Sequence, residues 1–141
     1  MKSINIIFNH LESAEALERY FKFVLGVNHI TKSSLNDPYG QKELFEKAMK
    51  SDLLVVDGFT DGKSKGFQFA KTMEKQTLVL FYTGEINIEE EGPFWLLLPY
   101  AIDRLGNKTK EILEQPAPGE EEYKALEERF PELRERKGHH H

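Results

Sequence analysis

The stretch VVDGFTDGKSKGFQF, residues 55–69, gathers groups that could do chemistry at one place in the chain. An apolar run ends at Asp57, and Gly58, Gly62 and Gly66 then recur every four residues. Glycines at such a turn let backbone approach a ligand closely or adopt positive φ. Free N–H groups where a following helix begins would suit an anion or a ribose oxygen. Asp57 could accept a hydroxyl proton or hold a metal, and Lys63 and Lys65 could meet a phosphate. The spacing is neither that of a Walker A loop nor that of a dinucleotide fingerprint. His10 is the second candidate. As a general base or phosphate acceptor it would need an orienting partner, for which Asp57 is suited. Its plainer role is that of a hydrogen-bonded structural residue.

Composition narrows the classes. The chain has 141 residues, 39% hydrophobic and 30% charged, which suits one core under a polar surface. A net charge of −5 with no long basic run argues against a nucleic-acid partner. Cysteine is absent, so disulfides and thiolate metal sites are excluded. The terminal GHHH resembles a purification-tag remnant, which leaves His10 and His29, and neither has a partner at metal-ligand spacing. No metal site and no cofactor are expected. No apolar stretch approaches the length of a membrane span. MKSINIIFNH lacks the long apolar run and cleavage site of a signal peptide. The expectation is a cytoplasmic protein without a membrane partner.

The elements that must position these groups follow from periodicity. INIIF (4–8), DLLVVD, TLVLFYT and FWLLLPY are short apolar runs and read as strands, and VNHIT reads as a weaker one. Between them, Leu17, Tyr20, Phe21 and Val24 mark one helix, capped at Ser13 and ended near Gly26. Leu44, Phe45, Ala48 and Met49 mark the buried face of a second, with Asp37-Pro38 as its start. GFQFAKTMEK is a third, with Phe67, Phe69 and Met73 in the core, and Trp95 is expected in the core as well. Residues 101–115 form a fourth, with Ile102, Leu105, Ile112 and Leu113 facing inward. QPAPG breaks the chain before a charged segment, a helix interrupted near Pro131. That segment reads as solvated, with Tyr123, Leu126 and Phe130 as the residues able to dock it. The expected organisation is one α/β domain over 1–115, a charged helical extension over 116–138 and the tag remnant at 139–141.

Continuous apolar strands alternating with helices imply a parallel sheet buried on both faces. With right-handed crossovers, the expected fold is a three-layer α/β/α sandwich. Its five-stranded sheet would have the flavodoxin-like, Rossmann-like order 2-1-3-4-5. Ligands of such sheets bind beyond the carboxyl ends of the strands, where strand order reverses. That crevice lies between the first and third strands. It would join Asn9 and His10 to Asp57 and Gly58, with Thr83 ending the fourth strand beside them.

Two resemblances sharpen this reading. Over residues 50–82, KSDLLVVDGF and GFQFAKTMEKQTLVLFY resemble the nucleoside 2-deoxyribosyltransferase-like family, with Gly66, Phe67, Phe69, Ala70 and Lys75 near register. Gln68 stands where that family has its catalytic glutamate, and an amide cannot serve as the carboxylate nucleophile. FNHLES replaces the family's usual motif after the first strand. The resemblance implies a pocket for a small-molecule nucleoside or nucleotide, lined by Asn9, Gly58, Gly62, Gly66, Gln68 and Thr83. Any turnover would be N-glycosidic cleavage using Asp57 and His10. Over residues 4–113 the chain also resembles receiver domains of response regulators. Asp57 is at the phosphoacceptor position, KGFQF opens the next helix, and Thr83 and Pro99 follow the fourth and fifth strands. Leu98 replaces the family's lysine, and Asn9-His10 replaces its magnesium-binding acidic pair. That likeness implies a pseudo-receiver, a signalling module working through a protein partner. The outline is shared by phosphocarrier domains with a histidine after the first strand. A homodimer through helix faces is compatible with each of these.

Overall fold

The computed structural model describes residues 2–8, 10–34, 41–57, 64–82, 92–98 and 102–133. Five strands, β1 (Ser3–Phe8), β2 (His29–Ser34), β3 (Leu53–Asp57), β4 (Gln76–Tyr82) and β5 (Trp95–Leu98), form one parallel sheet in the order β2-β1-β3-β4-β5. The expected topology is therefore present. The helices are α1 (Leu11–Phe23), α2 (Gln41–Lys50), α3 (Ser64–Met73), α4 (Ile102–Glu114) and α5 (Glu120–Arg129), followed by a 3₁₀ turn, Pro131–Leu133.

Side chains alternate between the two faces of a strand, and residues in register share a face. Ile4 and Ile6 pair with Leu53 and Val55, and this face packs on Ala14 and Phe21 of α1 and on Leu105 and Ile112 of α4. Ile7, Leu54 and Val56 occupy the opposite face with Leu44 and Ala48 of α2 and Ala70 of α3. Thr77 pairs with Leu54 and Val79 with Val56, so both point to the α3 side. There α5 covers them. The Tyr123 hydroxyl lies 3.2 Å from Thr77 Oγ1, and its ring packs edge-on against Phe67 and Phe94. Phe130 packs edge-on against Trp95 at 5.0 Å between ring centroids. The C-terminal helix thus covers β4 and β5 beside α3, on the face that a right-handed crossover between those strands would occupy.

Several local expectations change. α1 begins at Leu11 with His10 as its N-cap, and not at Ser13, because the chain leaves β1 straight into the helix. Gly26 does end that element: its φ of 70° lets the chain fold back so that the Val27 N–H reaches the Phe21 carbonyl at 3.0 Å. Val24, assigned to the inward face, is 63% exposed, and Phe45 and Met49 of α2 are about half exposed. Among the described residues of that helix, Leu44 and Ala48 are the apolar side chains buried against the sheet, because a ten-residue helix presents one narrow stripe to its neighbours. The charged C-terminal segment is not merely solvated. Tyr123, Leu126, Phe130 and Leu133 are all buried in the main core.

β1 and β3 are tied at their amino ends by Asp52. Its carboxylate accepts the Ser3 N–H at 2.8 Å and the Ser3 hydroxyl at 3.1 Å. These donors, the backbone N–H foremost, hold its pKa below the ordinary value of 3.8. A depressed carboxyl pKa contributes stability above the unfolded-state value and loses it as pH falls through the folded one. Asp52→Asn is therefore expected to lower stability by about 1–2 kcal/mol at neutral pH, since the site is only partly buried. The difference from the parent chain should vanish in urea melts run well below pH 3.8.

Candidate functional site

The carboxyl ends of β1 and β3 meet at the strand-order reversal. Phe8 closes β1, and His10 follows in an extended conformation (φ −116°, ψ 115°) as the N-cap of α1. The His10 carbonyl accepts the Ala14 N–H at 3.2 Å, while its imidazole is exposed and makes no capping bond. Asp57 is the last residue of β3, in register with Leu80 of β4. Backbone placement therefore brings His10 and Asp57 to one end of the sheet, at the switch point. The Asp57 side chain lies outside the described residues, as do Asn9, Gly58, Gly62 and Thr83.

Two further candidates sit on α3. Gly66 is buried in its first turn. Gln68 is half-buried one turn below the start of the helix, and its side-chain amide donates to the backbone carbonyl of Leu133 in the 3₁₀ turn. On the same side of α3, Lys71 Nζ meets Glu127 of α5 at 2.5 Å. Gln68 thus faces the C-terminal segment, and its donor ties α3 to that segment.

Two features at the β1–β2 side escaped sequence reasoning. Asn5 sits within the apolar run of the first strand but is fully buried on the α2 face. Its amide nitrogen donates to Thr31 Oγ1 at 2.6 Å and Ser33 Oγ at 3.0 Å, and its Oδ1 has no partner. A lone polar residue at an inward position of a strand was the available signal. A shallow cleft of about 220 Å³ lies beneath α2, bordered by Phe8, Ser33, Ser34, Glu43 and Lys47. Ser33 and Ser34 belong to the carboxyl end of β2, a strand whose polar alternation made its extent hard to read. Among the described residues, no three carboxylates and histidines gather as metal ligands, and no helix is long and apolar enough to cross a membrane.

No protein-family profile matches the chain, and no curated protein matches it either. Among solved structures, the solution structure of SdrG from Sphingomonas melonis Fr1 is similar with a TM-score of 0.56 at 14% identity. The match covers 80% of this chain and 97% of SdrG. At that identity the likeness is one of fold.

Proposed function

We propose that this chain is a receiver-like module that acts through protein contacts, without N-glycosidic chemistry and without taking a phosphoryl group. The observation that carries this reading is the tie between Gln68 and the Leu133 carbonyl. The residue at the position where base chemistry needs a carboxylate is an amide, and it faces a structural partner in place of an open pocket. Further support comes from the sheet order and from Asp57 at the end of the central strand. The receiver resemblance supplies the negative half: Leu98 in place of lysine and Asn9-His10 in place of the acidic pair leave a phosphoryl group at Asp57 without its usual cations. Phe45 and Met49, one turn apart and half exposed on α2, offer apolar side chains to a partner.

A small nucleoside or nucleotide held at the switch point is the second reading. It is supported by the convergence of His10 and Asp57 there. Incubation with acetyl phosphate and magnesium separates a working receiver from the module proposed. The intact mass is expected to stay unchanged. A phosphoryl adduct that hydroxylamine removes would make Asp57 a functional acceptor and overturn the proposal.

A further inference from the structure

β2 is an edge of the sheet, and among the described residues β1 is the strand that pairs with it. The ladder fixes which way its backbone groups point. The Ser3 carbonyl accepts the Asp52 N–H at 2.9 Å, so Ser3 turns its peptide groups toward β3. Such groups alternate along a strand. Ile4 and Ile6 therefore turn theirs to β2, where His29, Thr31 and Ser33 meet them. The N–H and C=O groups of Ile30 and Lys32 then face outward. The Lys32 carbonyl fits this assignment, because Lys47 Nζ reaches it from α2 at 3.5 Å. That distance is at the outer limit of a hydrogen bond, so a paired strand would make a better one.

Concave space follows the same edge. Asn28, His29, Ile30 and Thr31 border a cleft of about 500 Å³ with Lys47 and Lys50 of α2. Lys32 and Ser33 border the smaller cleft, which Lys47 also lines. Ile30 packs toward the α1 core, and Lys32 reaches Glu18 of α1 at 2.8 Å. On the α2 side these two residues therefore present backbone. The edge also holds more lysine than carboxylate, in a chain of net charge −5. Glu18 serves both Lys22 and Lys32, Glu43 serves Lys47, and Lys50 forms no ion pair among the described residues. Thr31 and Ser33 add donors on the α2 side. The Asn5 amide fills an acceptor site on each hydroxyl oxygen, at 2.6 and 3.0 Å, which leaves each its own proton to give.

We infer that β2 accepts an extended acidic segment of a partner protein as an added strand. Its backbone would pair with the outward groups of Ile30 and Lys32. Alternate carboxylates would lie on the α2 side, near Lys47, Lys50 and the Thr31 hydroxyl, with small or aliphatic residues between them on the Ile30 side. Main-chain bonds would supply affinity, and the lysines would select the partner. A second copy of this chain fits less well, since pairing through β2 would set the lysines of the two strands against one another. The inference rests on the reading of the chain as a module that acts through protein contacts, and it names the class of partner.

The test is an amide NMR titration of the full chain with the capped peptide Thr-Glu-Val-Glu-Val-Glu-Thr. A lysine-for-glutamate version and versions N-methylated on either alternate set of residues serve as comparisons. The acidic peptide is expected to shift the Ile30 and Lys32 amides downfield and to slow their exchange with solvent about tenfold or more. One N-methylated set should abolish binding and the other keep it, because one row of peptide N–H groups faces β2. Lys47→Gln with Lys50→Gln should weaken binding about tenfold, and added salt should weaken it in the parent chain. Thermal melts confirm that the variant is folded. Silence toward the acidic peptide, shifts centred on Phe45 and Met49, equal binding by the lysine version, or indifference to both N-methylated sets would each overturn the inference. Each of these leaves the receiver-like reading standing, whereas a phosphoryl adduct at Asp57 would remove that reading and leave the titration of this edge unchanged.

Discussion

Phe130→Ala is expected to lower folding stability by about 3–5 kcal/mol, the range for emptying a buried aromatic site. Phe130 is 1% exposed and lies against Trp95. Its backbone N–H also ends α5 on the Leu126 carbonyl at 2.9 Å, so the ring is fixed where the helix stops. A loss of that size is a large share of the 5–15 kcal/mol that holds a typical domain. If α5 were a solvated appendage, the same change would cost less than about 0.5 kcal/mol. Trp95 is the single tryptophan, and Arg129 stacks over its ring at 5.2 Å. Its emission therefore reports directly on docking of the C-terminal segment. A red-shifted spectrum in the folded variant, with an earlier urea midpoint, is the expected result. An unchanged midpoint would show that α5 does not close the core.

Gln68→Glu is the second large effect. The substitution restores the carboxylate that the deoxyribosyltransferase-like resemblance calls for. In this structure it replaces a donor with an acceptor opposite the Leu133 carbonyl. The amide bond is lost and a negative charge is placed against a carbonyl oxygen, at a cost of about 1–3 kcal/mol. The variant is expected to melt at lower temperature and to cleave no deoxynucleoside. Gln68→Met, which keeps the size without a charge, should be milder. Nucleoside hydrolysis gained by Gln68→Glu would show that this position faces a ligand, and the proposed function would fail.

The sheet order was legible because β1, β3, β4 and β5 are apolar runs separated by helical periodicity. Buried parallel strands have no solvent face to encode. β2 was read only in part. It is an edge strand, its side chains alternate between exposed and inward positions, and VNHIT captured its first half while Lys32, Ser33 and Ser34 completed it. On α2, residue type misled: Phe45 and Met49 are apolar yet half exposed, and nothing local distinguishes them from Leu44 and Ala48. The docking of the C-terminal helix was written in Tyr123, Leu126 and Phe130, whose spacing puts them on one face despite the surrounding charge. The burial of Asn5 could have been suspected from its place between apolar neighbours, but its hydroxyl partners are 26 and 28 residues away. The bond of Gln68 spans 65 residues and joins helices that the sequence does not pair. Position at the switch point was thus readable for His10 and Asp57, whereas the role of Gln68 depended on a contact no local pattern records.

The most direct test of the central claim is an amide NMR titration of the unmodified chain with a deoxynucleoside panel, then with magnesium and beryllofluoride. The proposed module predicts no shifts at His10, Asp57, Gly66 or Gln68 with either. Saturable shifts at Gly66 and Gln68 with a deoxynucleoside, or at Asp57 with magnesium and beryllofluoride, would contradict it.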